Sequence, residues 1–206
     1  MTDNSEVLAP NHHGDHAGFA GIAGWVAALS MRIGRSGDAQ LAIDLTALAP
    51  GEHVLDIGCG PGVAARAAAA RGAVVTGVDP ADVMLRVARR DDRHGAVTWK
   101  RGAAEALPVP DRSCDVVWSL ATVHHWPDLD GGLGEVRRVL RADGRFLAIE
   151  RRVQPGARGH ASHGWTDRQA AAFADRCRDA CFELVAVTSH ETKRGVLLAV
   201  LARATA

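Results

Sequence analysis

The run Val54-Leu55-Asp56-Ile57-Gly58-Cys59-Gly60-Pro61-Gly62 constrains this chain more than any other stretch. A short apolar run carries an acid near its end, three glycines follow at every second position, and an Ala-rich segment runs from Val63 to Arg71. That order reads as a strand, a tight turn and a helix. Glycines in such a turn adopt φ values closed to other residues and let a ligand lie against backbone N–H groups. A chain built around it folds as an α/β protein whose ligand sits at the carboxyl end of a parallel strand.

The rest of the chain follows the same alternation. Val74–Val78 reads as a strand ending at Asp79-Pro80, and Ala81–Arg90 as a helix. Strands follow at Val97–Lys100 and, after a turn at Pro108–Arg112, at Cys114–Ser119. A helix over Leu129–Leu140 is stopped by Asp143-Gly144, and Arg145–Glu150 is the next strand. Thr166 caps a helix from Asp167 to about Arg178. Phe182–Ser189 and Gly195–Ala202 are strands joined by a charged turn at Glu191–Lys193; with no helix between them they pair antiparallel. Ahead of the motif, residues 38–49 form a helix with Leu41, Leu45 and Leu48 on one face, ended by Pro50-Gly51. The expectation is a Rossmann-like α/β fold: a seven-stranded, mostly parallel sheet with an antiparallel last strand and helices on both faces. At 206 residues the chain suits one domain. Residues 1–16 read as a flexible arm and 17–206 as the domain, with 17–37 an N-terminal helical cap bearing Phe19, Ile22 and Trp25.

The ligand class follows from charge. A dinucleotide fingerprint places its third glycine where Val63 stands, and no Gly-Lys-Ser/Thr run exists to hold a nucleoside triphosphate. Asp56, just before the loop, would repel a pyrophosphate but suits an ammonium group. Asp79 lies 23 residues after Asp56, at the next strand end, where a carboxylate accepts from ribose hydroxyls. S-adenosylmethionine has an ammonium, a sulfonium and a ribose, and no phosphate.

In these features the chain resembles class I S-adenosylmethionine-dependent methyltransferases of the small-molecule branch (methyltransferase type 11), which includes the menaquinone and ubiquinone biosynthesis enzymes. The resemblance runs from about residue 38 to 150. It implies that Asp56, Gly58, Cys59 and Gly60 lie against the methionine part, that Asp79 holds the ribose, and that Pro80, Val83 and Met84 line the adenine side. Gly102–Pro108, with Ala103, Ala104 and Glu105, resembles the segment that closes on adenine, and Ser119–Asp128, beginning Ser119-Leu120, resembles the loop after the fourth strand. Ala103 stands where this branch commonly has an Asp that accepts from the adenine amino group; loss of one such bond weakens binding by roughly 0.5–1.5 kcal/mol. The implied activity is methyl transfer to a small, largely apolar acceptor. The alternatives are a non-catalytic S-adenosylmethionine-binding or regulatory protein and a nicotinamide-dependent oxidoreductase.

Methyl transfer from a sulfonium needs alignment and water exclusion more than a nucleophile. A base serves only where the acceptor loses a proton. His124 and His125 are the candidates, equivalent in sequence, with loop shaping as their other reading. The chain has no Tyr, so no phenol can take that role. Glu105 begins a turn, Trp99 and Trp118 are core, and Trp126 packs its loop or lines the cleft. Arg151, Arg152 and Arg158 are a solvated loop or a contact for an acidic substrate group, while His160, His163 and Trp165 are placed to line the acceptor site. No metal is expected there or at His12, His13 and His16, because neither histidine group has a carboxylate in its spacing. Cys59 reads as a packed residue under the ligand, and Cys177 and Cys181 as buried thiols in a reducing, cytoplasmic setting. Residues 1–10 carry acids and no apolar run, so they read as no secretory leader, and no stretch is apolar enough to span a membrane. With 24 basic and 24 acidic residues, no broad attraction to nucleic acid is expected. The partner is a small molecule, and a homodimer is the assembly this reading allows.

Overall fold

The computed structural model describes residues 36–157 and 162–205. The expected arm and cap, with His12, His13, His16, Phe19, Ile22 and Trp25, lie outside the described residues, as do Arg158 and His160. Seven strands form one sheet: β1 His53–Ile57, β2 Val74–Asp79, β3 Val97–Arg101, β4 Cys114–Leu120, β5 Leu140–Arg151, β6 Phe182–Thr192 and β7 Gly195–Ala204. Their order is β3-β2-β1-β4-β5-β7-β6, with β7 antiparallel to both neighbours and the remaining pairs parallel. The Rossmann-like architecture read from the sequence is the one observed.

Strand alternation builds two cores. On one face Leu55 and Ile57 of β1, Val117 of β4 and Phe146 and Ala148 of β5 meet α4 (Leu129–Val139) and α5 (Asp167–Asp179). On the other, Val54, Val116, Trp118, Leu147 and Ile149 meet α1 (Ser36–Leu45) and α2 (Val63–Ala69). Alanines let α2 lie close to the sheet, with Ala65 and Ala68 fully buried. Trp99 of β3 is half-buried and lies over Gly77 of β2, where any Cβ would come within 2.6 Å of its ring. The helix α3 (Asp82–Asp91) packs on β2 and β3 and buries Val83, Met84 and Val87. Thr166 and Gln169 form a reciprocal capping box that starts α5, as the sequence indicates.

Several boundaries differ from the sequence reading. α1 starts at Ser36 and ends at Leu45, because the Thr46 hydroxyl bonds the Ala42 carbonyl and Ala47 turns to φ 46°. Its buried face is Ala39, Ala42 and Ile43, and Leu41, Leu45 and Leu48 flank it half-buried. β5 begins at Leu140, where Cys114 still pairs with it across an irregularity before Val116 meets Arg145. β6 runs into the expected turn, ending at Thr192, and the chain reverses at Lys193 and Arg194. Cys181 is exposed, contrary to the expectation for it, because it takes φ 62° in the turn after α5. Cys177 is buried, and burial pushes its thiol up to about 12. Among the described residues no helix is long and apolar enough to cross a membrane.

Candidate active site

The strand order reverses between β1 and β4, so the loops leaving their carboxyl ends open a crevice. The loop after β1 is pinned from beneath. Cys59 N–H donates to the Val78 carbonyl at 3.0 Å, and its Sγ lies near Gly77. Burial first, then the charges of Asp56 and Asp79, pushes the Cys59 thiol well above its ordinary range. It is a protonated packing residue, as read from the sequence.

The glycines of this loop serve different ends. A Cβ on Gly58, at φ 66°, would lie 2.5 Å from Thr122 Cγ2. Thr122 also bonds the Ile57 carbonyl at 3.2 Å and the Ser119 hydroxyl at 2.7 Å, locking the loop after β4 onto the loop after β1. A Cβ on Gly60, at φ 52°, would meet nothing within 4 Å. The cleft beside this loop is lined by Asp56, Gly58, Cys59, Pro61 and Leu120, with Asp38 contributed by α1.

Asp79 is buried at the end of β2, with Oδ2 accepting from Gly60 N–H at 2.9 Å and Oδ1 from Ala81 N–H at 2.8 Å. Burial raises its carboxyl pKa, and the two N–H donors oppose that shift. A carboxylate accepts about four hydrogen bonds, so capacity for ribose hydroxyls remains. Pro80 is exposed beside it, and Met84 packs with Val83 and Val87 in a small apolar cluster. Ala103 is exposed and its carbonyl takes Ala106 N–H; the Ala104 side chain is in the core, leaving only its backbone for a ligand. Glu105 accepts from Asp128 N–H at 3.4 Å, tying this segment to the start of α4. Ser119 is fully buried and its hydroxyl is committed to Thr122, while Leu120 faces the cleft.

The structure separates the two histidines that sequence left equivalent. His124, in the 3-10 turn Val123–His125, points inward. Its Nδ1 lies 2.9 Å from both carboxylate oxygens of Glu150, which is fully buried at the end of β5. His125 is exposed. His163 joins them, its ring centroid 5.4 Å from that of His124 and 5.6 Å from that of His125. Sequence spacing hid the carboxylate because Glu150 comes from another strand, 26 residues on. It also hid the approach of Asp38 to Asp56 and of Thr122 to the glycine loop. Arg152 is an exposed ion-pair partner of Asp167, and Trp165 is buried against Phe173 rather than facing the site.

These residues fit S-adenosylmethionine. The vacant space at Gly60 is a cradle that a side chain would fill, and the Asp38–Asp56 wall suits a cationic end. Comparison with known proteins agrees. Residues 55–148 match the model of the methyltransferase domain family. A demethylmenaquinone methyltransferase of Tropheryma whipplei is 36% identical over 112 residues, covering 54% of this chain and 46% of that protein. A 27-O-demethylrifamycin SV methyltransferase of Amycolatopsis mediterranei is 35% identical over 149 residues, covering 69% and 50%. The chain thus spans about half the length of these curated relatives. A putative methyltransferase solved with the Haloferax volcanii Trm112 activator superposes with a TM-score of 0.74 at 21% identity, covering 89% of this chain and 97% of the other. The strand order and the glycine loop are those of the class I S-adenosylmethionine-dependent methyltransferase fold, and residues 55–148 match the methyltransferase domain family.

Proposed function

We propose that this chain transfers a methyl group from S-adenosylmethionine to a hydroxyl-bearing, largely apolar small molecule. The observation that carries the reading is the crevice at the strand-order reversal, where two carboxylates and an open glycine loop share one wall. When bound, S-adenosylmethionine supplies a methyl group already activated on a sulfonium. Asp56 and Asp38 hold the ammonium end, and Asp79 accepts the ribose hydroxyls while keeping the Gly60 amide in place. The backbone at Ala104 and the apolar cluster around Met84 bound the adenine side. Thr122 joins this pocket to the histidines, which stand at the acceptor end. Glu150 fixes the ring of His124, and an acceptor hydroxyl releases its proton toward this cluster. Two relatives named for demethylmenaquinone and for 27-O-demethylrifamycin SV support a small-molecule acceptor.

Calorimetric titration tests the cofactor. One equivalent of S-adenosylmethionine binds and NADH does not. Asp79→Ala weakens binding roughly tenfold or more, since hydrogen bonds to a charged group are worth about 1.5–3 kcal/mol each. An unchanged Kd removes Asp79 from the ribose site, and a preference for NADH overturns the whole reading. A second reading, binding without turnover, draws on Ala103, which offers no side-chain acceptor to adenine. Tight binding with no product across acceptors graded in polarity selects it.

A further inference from the structure

We propose that His124, His125 and His163 form a binding site for a divalent transition cation of the zinc type. The placement of that site at the acceptor end rests on the methyltransferase reading; the binding itself does not. Each histidine offers one ring nitrogen, and these atoms all lie within 4.8 Å of one another. The rings of His124 and His125 are 3.9 Å apart, and those of His125 and His163 meet edge to face at 88°.

His124 carries the argument. Its side chain is 7% exposed, and the Glu150 side chain behind it is 0% exposed. Nδ1 against that carboxylate fixes the ring and aims Nε2 away from Glu150, and an imidazole whose Nδ1–H donates to a carboxylate offers its Nε2 lone pair to a cation. Nε2 is itself buried and has no hydrogen-bond partner. A buried acceptor without a donor is costly, and a cation on Nε2 removes that cost. A carboxylate behind a histidine with its far nitrogen open is the arrangement that orients metal ligands and raises their basicity.

The third histidine arrives by a dedicated backbone route. Arg151 C=O accepts Trp165 N–H at 2.9 Å, and the Trp165 carbonyl accepts Val153 N–H at 2.8 Å. Between them Gly164, at φ 140°, lies so close to Arg151 that a Cβ would stand 2.1 Å from its carbonyl oxygen. Only glycine passes there, and its passage sets His163 beside His124. Three nitrogens on one zinc ion stand about 3.3 Å apart, given Zn–N distances of about 2.0–2.1 Å. His125 supplies the exposed member of the set. Three protein ligands leave a fourth position open, where a hydroxyl oxygen of the acceptor would bind; with the ion in place its proton would pass to solvent at lower pH than in water, instead of to the histidines, which accept it in the metal-free site.

The test uses the untagged full chain, freed of metal with chelator and titrated with zinc chloride by calorimetry. Cobalt(II) chloride is added in parallel and its visible absorption followed. The expected result is one equivalent of zinc and a tetrahedral cobalt spectrum. His163→Gln and His125→Gln each weaken zinc binding roughly tenfold or more, which is about 1.4 kcal/mol. Glu150→Gln weakens it less and keeps the spectrum. Asp79→Ala, which damages the cofactor pocket, leaves zinc binding intact, so loss of S-adenosylmethionine binding and loss of the cation site read out separately. Absence of binding at millimolar zinc overturns the proposal. So does zinc binding that survives His163→Gln, because the ion is then held elsewhere, for example by Cys181 or the His12–His16 run.

Discussion

Gly58 and Gly60 lie two residues apart in one loop, yet different forces select them. At Gly58 the protein itself fills the space, with Thr122 in van der Waals contact. At Gly60 no protein atom lies within 4 Å of a built Cβ. Alanine at either position pays about 1 kcal/mol for the left-handed backbone. Gly58→Ala adds an overpacking cost of about 1–3 kcal/mol. Urea unfolding should therefore show Gly58→Ala less stable by about 2–4 kcal/mol and Gly60→Ala by only about 1. Cofactor affinity reverses the order, because the Gly60 side chain intrudes on the cradle. Calorimetry should find the Gly60 variant weakened at least about tenfold. A Gly60 variant that binds normally would place the ligand elsewhere. Sequence supplied the spacing of these glycines, but their separate roles depend on Thr122, which is far along the chain and reaches the loop only because β1 and β4 are neighbours.

At the scale of elements, the segment Gly102–Pro108 owes its position to a clamp on α4. Glu135 accepts from Leu107 N–H at 2.8 Å and from Arg138 at 2.6 Å, and Arg138 reaches back to the carbonyls of Leu107 and Val109. The Arg138 guanidinium, chiefly, holds the Glu135 carboxyl below its ordinary range; partial burial opposes the shift and the Leu107 amide adds to it. Because the folded pKa is depressed, this stability is present at neutral pH and is lost as pH falls through that lowered value. Glu135→Gln should cost about 1 kcal/mol at pH 7, allowing for the partial exposure of both partners. The gap between variant and parent should close in acid, as urea titrations at two pH values would show. A gap independent of pH would mean that packing, not charge, holds the segment. Neither Glu135 nor Arg138 stands out in the sequence, where they are two charges one helical turn apart on an ordinary amphipathic helix.

Across the whole molecule, one sheet divides two cores, and β5 contributes to both. Phe146 faces α4 and α5, while its neighbour Leu147 faces α1 and α2. Phe146→Ala should destabilise the protein by about 3–5 kcal/mol. Because the two cores share every central strand, tryptophan fluorescence and far-ultraviolet circular dichroism should lose signal in one coincident transition. Two separated transitions would show that the cores melt independently. The outer strand β6 has no such double role. Its Leu184 and Val187 are exposed despite their apolar side chains, and a register shift between Glu183 and Ala186 interrupts that edge.

The fold and the cofactor loop were legible in the sequence because both rest on local physics. Period-2 and period-3.6 patterns mark strands and helices, and a glycine turn after an acid-bearing strand marks the ligand end. The histidine cluster was legible only in part. His124 and His125 were visible as a pair, but the choice between them needs Glu150, and the cluster needs His163. Those residues come from the end of β5 and from the segment before α5, and they meet only through strand pairing and the Arg151–Trp165 bonds. Sequence determined which chemistry the chain carries at each strand end. The tertiary structure decided which of those ends share one site, because side chains interact over a few ångströms of space and not over distance along the chain.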